Sequence, residues 1–191
     1  MRVTAQHTPR LTYAEYLRAE AQSAEKHDFV NGETLAMAGG TIEHGALALA
    51  VAGEIRSALG GRPCRTFSSD VRVKVDSTGA SFYPDLSVVC GHLETAADDP
   101  QAITNPLVIV EVLSESTEAY DRGAKAAHYR RLPSLREYVL VSQSEPRVEV
   151  QRLNEQGIWE LHFAGPGQAV ELRSLGLSIS VDRLYANPLA G

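Results

Sequence analysis

Two acidic residues stand beside or within apolar stretches, where a carboxylate needs a specific partner. Glu111 interrupts LVIVEVL (residues 107–113), and Asp85 stands between Pro84 and the mainly apolar LSVVC. Burying an isolated charge is costly unless the charge is paired or binds a metal. If the two stretches form neighbouring strands, the carboxylates converge and repel each other unless a cation neutralises them. Because carboxylate oxygens suit Mg²⁺ or Mn²⁺, the pattern favours a metal site at Asp85 and Glu111.

A lysine follows the second acid, on the next stretch that the sequence predicts to be helical. Asp121 stands four residues before Lys125, which places both side chains on one face of a helix. A lysine held near a metal and two carboxylates can orient a water molecule or stabilise charge on a phosphate. We also expect a local basic surface from four arginines close to Lys125 in the sequence, Arg122, Arg130, Arg131 and Arg136.

Each of these residues also has an ordinary structural interpretation. Glu111 can be a structural acid that pairs with a buried lysine or with backbone donors, and Asp85 can bond the amides of a turn. Lys125 can be a solvated helix residue. Capping, packing or simple exposure would account equally well for two polar residues further towards the N-terminus, His44 and Glu33. Only the ordered set of residues favours catalysis.

The acids lie among predicted helices, hairpins and strands. Thr12 and Glu15 form a capping box at the start of the first helix, and Asn31-Gly32 is a two-residue hairpin turn. Helices are predicted over residues 11–22, 42–59 and 118–132, hairpins over 27–40 and 147–165, and strands over 66–75, 83–90, 107–113 and 137–142. Residues 91–105 read as a polar connection, and residues 169–185 as β structure followed by a short helical turn.

Length and composition indicate one globular domain over residues 1–191. The chain has 191 residues, of which 43% are hydrophobic and 22% are charged. A strand, a helix and a strand at the centre of the chain predict an α/β fold with a mixed sheet. The formal net charge of -6 argues against broad electrostatic attraction to nucleic acid, but it leaves room for a local basic groove.

The sequence predicts a cytoplasmic protein that does not enter the membrane. There is no apolar run of about 18 residues, and residues 1–21 lack the apolar core of a signal peptide. Cys64 and Cys90 have no metal-binding spacing, and a chain of this length does not need a disulfide. We therefore expect both cysteines to be reduced packing residues.

The ordered set YPDLSVVC, PLVIVEVLSEST and YDRGAKAAHYRRLPSLREYVLVS resembles the Uma-two-type family of bacterial proteins, which belongs to the PD-(D/E)XK nuclease superfamily. The similarity begins at LTYAEYL, passes through HDFVNGETLAMAGGTIEHGALA and reaches PRVEVQR. The resemblance implies a restriction-endonuclease-like α/β (α+β) fold, with a central mixed β-sheet flanked by helices. It also implies Mg²⁺-dependent hydrolysis of phosphodiester bonds.

The superfamily motif maps onto individual residues of this chain. Pro84-Asp85 match its PD, and Glu111 matches the acid of its (D/E)XK. Leu113 occupies the position where that motif has its lysine. The resemblance implies that the lysine has moved to the next helix, where Lys125 fits.

Two further acids bear on the implied site. Many members carry an N-terminal acid, for which Glu33 or Asp28 can stand. Glu115 occupies a position where the family more often has proline, and an acid there would disfavour the approach of a phosphate. The resemblance thus implies a catalytic set of Asp85, Glu111, Lys125 and Glu33, with Asp85 and Glu111 as ligands of Mg²⁺ or Mn²⁺.

Three functional classes compete. Intact Asp85, Glu111 and Lys125 favour a metal-dependent endonuclease that acts on DNA, for which we expect a homodimer because two sites cut two strands more easily. The acidic net charge, the displaced lysine and Glu115 favour a non-catalytic binding or assembly module that retains the nuclease fold. A metal-dependent hydrolase of a small phosphate is the third class, although AGGTIEHG lacks the glycine spacing of a P-loop.

Overall fold

The computed structural model describes residues 10–37 and 39–186. Within them the helices are α1 (Tyr13–Glu20), α2 (Ile42–Leu59), α3 (Glu118–Tyr120), α4 (Ala126–Tyr129) and α5 (Val181–Leu184), and a π-helical turn at Asp121–Lys125 joins α3 to α4. The strands are β1 (His27–Val30), β2 (Glu33–Ala36), β3 (Cys64–Ser68), β4 (Arg72–Val75), β5 (Ala80–Phe82), β6 (Leu86–Cys90), β7 (Thr95–Ala96), β8 (Asp99–Ile103), β9 (Val108–Leu113), β10 (Glu137–Ser142), β11 (Val148–Leu153), β12 (Trp159–Ala164), β13 (Ala169–Leu172) and β14 (Leu177–Ser180).

The strands form two mixed six-stranded sheets and one hairpin. The first sheet has the order β2-β1-β5-β4-β8-β7, and the second has the order β12-β11-β10-β9-β6-β3. In the second sheet β9 lies between β10, to which it is parallel, and β6, to which it is antiparallel. All six residues of β9 are buried. The predicted α/β (α+β) fold, with a mixed sheet flanked by helices, is confirmed, and β9 is an interior strand of the second sheet.

The second sheet is covered on both faces. On one face, Leu47, Val51, Ile55 and Leu59 of α2 pack on the valines of β6, β9 and β10, together with β13, β14 and α5. On the other face lie α4 and the first sheet. Because side chains alternate along a strand, Glu111 shares the second face with Ile109 and Leu113. The only acid of β9 therefore points into the layer between the second sheet and α4.

Local signals place several element boundaries where the sequence predicts them. Thr12 and Glu15 form a reciprocal capping box at α1. Asn31 and Gly32 have φ of 53° and 85°, and this pair of positive angles makes the tight turn between β1 and β2. The predicted hairpin reaches to residue 40, and residue 38 within it lies outside the described residues.

Three stretches differ from the sequence prediction. The polar segment 91–105 contains β7 and β8, which extend the first sheet, and the predicted strand 66–75 is divided between β3 and β4. A partly buried pair between Arg72 Nε and Asp99 Oδ2, 2.9 Å apart, ties β4 to β8 and explains how a polar segment enters a sheet. The predicted helix 118–132 ends at Tyr129 and contains the π-helical turn. No helix within the described ranges is long and apolar enough to span a bilayer.

The prediction that Cys64 and Cys90 are reduced is wrong for this structure, in which they form a disulfide. Antiparallel pairing of β3 with β6 sets the two residues directly opposite each other, with Cα atoms 4.0 Å apart. This spacing is that of a non-hydrogen-bonded cross-strand pair, where side chains approach most closely. Sequence spacing alone carried no signal of the pairing, because it depends on strand register.

We expect the disulfide to stabilise the second sheet at its β3 edge. The double substitution Cys64→Ser and Cys90→Ser will lower the free energy of unfolding by about 2–4 kcal/mol, since it frees a loop that the bond closes in the unfolded chain. Urea denaturation with and without reductant measures this. Reductant should shift wild type to the midpoint of the double variant and leave the variant unchanged. A wild-type midpoint that is indifferent to reductant would contradict the prediction.

Candidate active site

Strand pairing brings Asp85 and Glu111 together. Leu86 of β6 pairs with Val110 of β9, so the next residues along, Asp85 and Glu111, lie side by side. The backbone N–H of Asp85 donates to Glu111 Oε2 at 3.4 Å, and the backbone N–H of Val112 donates to Asp85 Oδ2 at 2.7 Å. The sequence prediction that these carboxylates converge is confirmed.

The π-helical turn places Lys125 against the same carboxylates. Lys125 Nζ lies 2.8 Å from Glu111 Oε1, 3.5 Å from Asp121 Oδ1 and 3.8 Å from Asp28 Oδ2. A π turn inserts one residue into a helix, and such turns are frequent at functional sites. Tyr138 donates its hydroxyl to the backbone carbonyl of Asp121 at 3.0 Å and so supports the turn from β10. Lys125 is thus brought to Glu111, as the migrated-lysine assignment requires.

A histidine at the start of α2 completes the shell around Asp85. Thr41 caps α2 by accepting the backbone N–H of His44, which fixes the first turn of the helix beside β6. The ring Nε2 of His44 lies 3.0 Å from Asp85 Oδ1. Hydrogen bonding to Asp85 raises the pKa of the His44 imidazole. The first turn of α2 therefore brings His44 into direct contact with Asp85.

Acids outnumber cations within this cluster. Glu111 is 3% exposed, and burial together with Asp85 and Asp121 raises its pKa well above the ordinary value, despite Lys125. Burial likewise raises the pKa of Asp28. Although burial disfavours a charged lysine, Glu111, Asp28 and Asp121 together hold the pKa of Lys125 above its usual range. The cluster is therefore short of positive charge, which a bound cation would supply.

Glu111→Gln will change the pH dependence of stability in metal-free buffer. A carboxyl whose pKa is raised on folding contributes stability below its ordinary value of 4.5, and this is lost as pH rises towards the folded pKa. The unfolding free energy of Glu111→Gln, relative to wild type, will therefore increase from about pH 4.5 to pH 8. Urea denaturation at several pH values measures the difference. A difference that does not change with pH would contradict the raised pKa of Glu111.

The cluster opens into a cavity of about 1060 Å³. Its acidic wall contains the carboxylates already described, together with Glu115 and Glu118, and α2 contributes Thr41 and His44. The remaining wall is rich in hydroxyl and amide side chains, namely Ser114, Ser116, Thr117, Ser142, Gln143 and Ser144.

The predicted basic surface does not lie in this cavity. Its lining includes none of the four arginines that the sequence places near Lys125. Arg122 bonds Glu118 at 2.7 Å and also contacts Glu149, while Arg130 bonds Gln151 at 2.5 Å. Arginines 131 and 136 are exposed elsewhere on the surface. Lys125 is the only lysine or arginine that lines the cavity within the described residues.

The structure brings Asp28, and not Glu33, to the site. Asp28 is buried on β1, where Oδ1 accepts the backbone N–H of Tyr83 at 3.1 Å and Oδ2 faces Lys125. Glu33 is exposed at the start of β2, opposite Val30, and lies outside the cavity lining. The two-residue turn separates the acids, and of these two candidates for the N-terminal acid only Asp28 faces Lys125 and lines the cavity. Which acid acts in catalysis stays a prediction.

Sequence reasoning missed the tyrosines that surround the acids. Tyr129 is fully buried and donates its hydroxyl to Glu111 Oε1 at 3.1 Å. Its place four residues after Lys125 was the available signal, because residues at i and i+4 share a helical face. Tyr120 lines the cavity, and its hydroxyl is buried without a hydrogen-bond partner in the described structure. Nothing in the sequence distinguishes that residue from an ordinary helical tyrosine.

The carboxylate oxygens of Asp85 and Glu111 suit a divalent cation. No group of three or more His, Cys, Asp or Glu side chains in the described residues is placed to hold a metal ion. Mg²⁺, however, is commonly held by one or two carboxylates, with water and substrate phosphate as its other ligands. Asp85 and Glu111 supply two carboxylates beside an open cavity, in a cluster with excess negative charge.

Comparison with known proteins agrees with the geometry. The family model Uma2, described as "Putative restriction endonuclease", matches residues 13–182. Two proteins of Synechocystis sp. are similar in sequence. "Uncharacterized protein slr1290" is 36% identical over 177 residues, covering 93% of this chain and 92% of its own. "Uncharacterized protein sll1609" is 37% identical over 142 residues, covering 74% and 80%.

A crystal structure has the same fold. It is that of "a putative nuclease belonging to DUF820" from Anabaena variabilis, which superimposes with a TM-score of 0.76 at 18% identity. The match covers 92% of this chain and 97% of that one. At this identity the likeness establishes the fold alone. With the family model matched over residues 13–182 and a relative 36% identical across most of both chains, the chain belongs to the Uma2 family, as the resemblance of its motifs predicted.

Proposed function

We propose that the protein is a metal-dependent endonuclease that hydrolyses phosphodiester bonds of DNA, with Mg²⁺ or Mn²⁺ as cofactor. The observation that carries the proposal is the convergence of Asp85, Glu111 and Lys125 in one cavity. The pairing of β6 with β9 and the π-helical turn produce this convergence from three separate parts of the chain. The description of the family as a restriction endonuclease supports the same class of chemistry.

Asp85 and Glu111 would hold the metal, and their neighbours would orient them. The Val112 N–H and His44 fix Asp85, while Tyr129 and Lys125 fix Glu111. When bound, the ion would polarise the phosphate and lower the pKa of a bound water molecule.

We expect Lys125 to act on the reacting phosphate. Its ammonium group can donate to the attacking water or to a phosphate oxygen that gains charge as the water oxygen attacks and the P–O bond breaks. Asp28 and Asp121 keep the lysine charged and hold it in place. They thereby perform a positioning role without contact with the phosphate.

The α2 N-terminus offers a second source of positive potential at the cavity. Gly39, Gly40 and Thr41 line the cavity where the 18-residue helix begins. Free backbone N–H groups and the helix dipole favour phosphate at such a position. This contribution suits a chain whose arginines lie outside the cavity.

A non-catalytic binding or assembly module is the second candidate. In its favour, all four carboxylate oxygens of Asp85 and Glu111 already accept hydrogen bonds or face a cation within the chain. Exposed Glu115 also adds negative charge to the cavity lining. Such a module would bind DNA without hydrolysing it.

A cytoplasmic location and a homodimer belong to the same proposal. Disulfides are rare in the cytoplasm, so the redox state of Cys64 and Cys90 in cells bears directly on the location. The expected dimer follows from the two strands of the DNA substrate.

Nicking of supercoiled plasmid tests the proposed function. Wild-type protein should convert plasmid to the open-circular form with Mg²⁺ or Mn²⁺ and should be inactive in EDTA. Parallel incubation with single-stranded RNA of matched length tests the preference for DNA. Salt-sensitive DNA binding without cleavage under any metal condition would favour the binding module and overturn the nuclease.

A further inference from the structure

The second sheet has an open edge at β12. This strand ends the strand order, and β11 is its only sheet neighbour in the described structure. An open edge presents unpaired N–H and C=O groups to other strands, and proteins usually protect it with proline, lysine, a bulge or a very short strand. The six residues of β12 contain neither proline nor lysine, and they pair with β11 in continuous register.

An apolar face accompanies this open edge. Side chains alternate along β12, so Trp159, Leu161 and Phe163 share one face of the sheet. Leu161 is 52% exposed and Phe163 is 53% exposed. Large exposed apolar groups side by side on a strand are typical of an interaction surface.

We propose that β12 pairs antiparallel with β12 of a second copy, with Leu161 at the two-fold axis. In this register Trp159 lies opposite Phe163 of the partner subunit, and Leu161 lies opposite the partner's Leu161. Cross-strand aromatic pairs of this kind stabilise antiparallel sheets. A two-fold axis forms each contact twice, and the joined edges would share about six backbone hydrogen bonds.

The opposite face of β12 is complementary to itself in the same register. Glu160 would lie opposite His162 of the partner subunit, so each carboxylate meets an imidazole. Within one chain Glu160 Oε2 lies 3.5 Å from His162 Nε2, and both side chains are more than a third exposed. Both faces therefore favour a second copy in one register.

Nucleic acid fits this edge less well. Glu160 on β12 and Glu149, which lies opposite Phe163 on β11, place carboxylates on both faces of the strand pair. Arg147 is already shared between Glu149, at 3.4 Å, and the Phe163 ring, whose centroid is 4.7 Å from the guanidinium. Phosphates would find little free positive charge here.

The pairing also fixes where the two cavities open. β12 runs antiparallel to β11, β11 runs antiparallel to β10, and β10 runs parallel to β9, so β12 and β9 point the same way. Antiparallel pairing of two β12 strands therefore places the cavities, which lie beside the end of β9, at opposite ends of a joined twelve-stranded sheet. The dimer would thus carry two separate sites, and it would form whether or not the protein is a nuclease.

Sedimentation equilibrium over a concentration series tests the interface. Wild type should be a dimer that dissociates on dilution, and Leu161→Arg should raise the dissociation constant at least tenfold. Leu49→Arg is the matched control, because Leu49 is an exposed leucine, 74% exposed, on α2 and not on β12. A wild-type protein that stays monomeric at every concentration, or a Leu161→Arg variant that associates like wild type, would overturn the proposal.

Two further variants test the register. Leu161→Cys should give a disulfide-linked dimer on mild oxidation, whereas Leu49→Cys should not. His162→Glu should weaken association by opposing two carboxylates, and the double variant Glu160→His with His162→Glu should restore it. Efficient cross-linking through Leu49→Cys, or a double variant as weak as His162→Glu, would contradict this register.

Discussion

Asp85→Asn and Glu111→Gln will each slow metal-dependent plasmid nicking by a factor on the order of 10³. Each substitution keeps the size of the side chain but removes the negative charge that a divalent cation requires. Both also keep one carbonyl oxygen, so the hydrogen bonds from Val112 N–H and Tyr129 can persist. The loss is therefore expected in cleavage and not in the fold.

Glu33→Gln is the matched control for these two variants. It removes one carboxylate of the same family-derived set, but from an exposed position on β2. We expect its nicking rate to stay within about twofold of wild type, since substitutions of exposed residues outside the core and the cavity have small effects. Circular dichroism and urea midpoints establish that all variants are folded. Full activity in Glu111→Gln would show that Glu111 is not needed to hold the metal.

Glu137→Ala will lower the free energy of unfolding by about 3–5 kcal/mol. Glu137 is fully buried at the start of β10, and its carboxylate accepts bonds from Arg152 Nε at 2.8 Å, Arg173 N–H at 2.9 Å and Ser174 N–H at 3.0 Å. Truncation leaves the buried Arg152 guanidinium and two backbone donors without this partner. Urea denaturation at pH 7 measures the loss.

Glu111→Gln provides the contrast with this variant. Both acids are buried on neighbouring strands of one sheet, but donors surround Glu137. Glu111 instead shares a single lysine with three other acids, Asp28, Asp85 and Asp121. We expect Glu137→Ala to lose stability and Glu111→Gln to keep or gain it at pH 8. A loss below about 1 kcal/mol in Glu137→Ala would contradict the structural role of that acid.

The contrast explains why a carboxylate interrupts the apolar strand β9. Glu111 is less well compensated than a structural acid would be, and its pKa is raised accordingly. Incomplete compensation of a buried acid is common where a site is prepared for a ligand, and stability elsewhere in the fold offsets its cost. In this chain the offset comes from two buried core clusters that enclose the sheet.

The sequence predicts the acids of the central strands because their signals are local. Alternation places Glu111 on one face of β9, and Pro84 marks the start of the strand that carries Asp85. Lys125 is predictable through the family resemblance but not from its spacing alone. The π-helical turn that aims it at Glu111 has no separate signal in the sequence.

The rest of the site depends on register and on packing between distant segments. Asp28 and Glu33 are equivalent in the sequence, and only the pairing of β1 with β5 places Asp28 beside Tyr83 and Lys125. The first sheet contains strands of two to five residues, too short for a clear period. The Cys64–Cys90 bond also follows from register. Pairings between segments that are distant in the sequence leave no signal in any single stretch of it.

Calorimetric titration with Mn²⁺ tests the central claim most directly, because it measures the metal site without requiring substrate or catalysis. Wild type and Glu33→Gln should each bind Mn²⁺, whereas Asp85→Asn and Glu111→Gln should lose that binding while they remain folded. Equal Mn²⁺ binding by wild type and Glu111→Gln, or none by wild type, would contradict the assignment of Asp85 and Glu111 as the metal ligands.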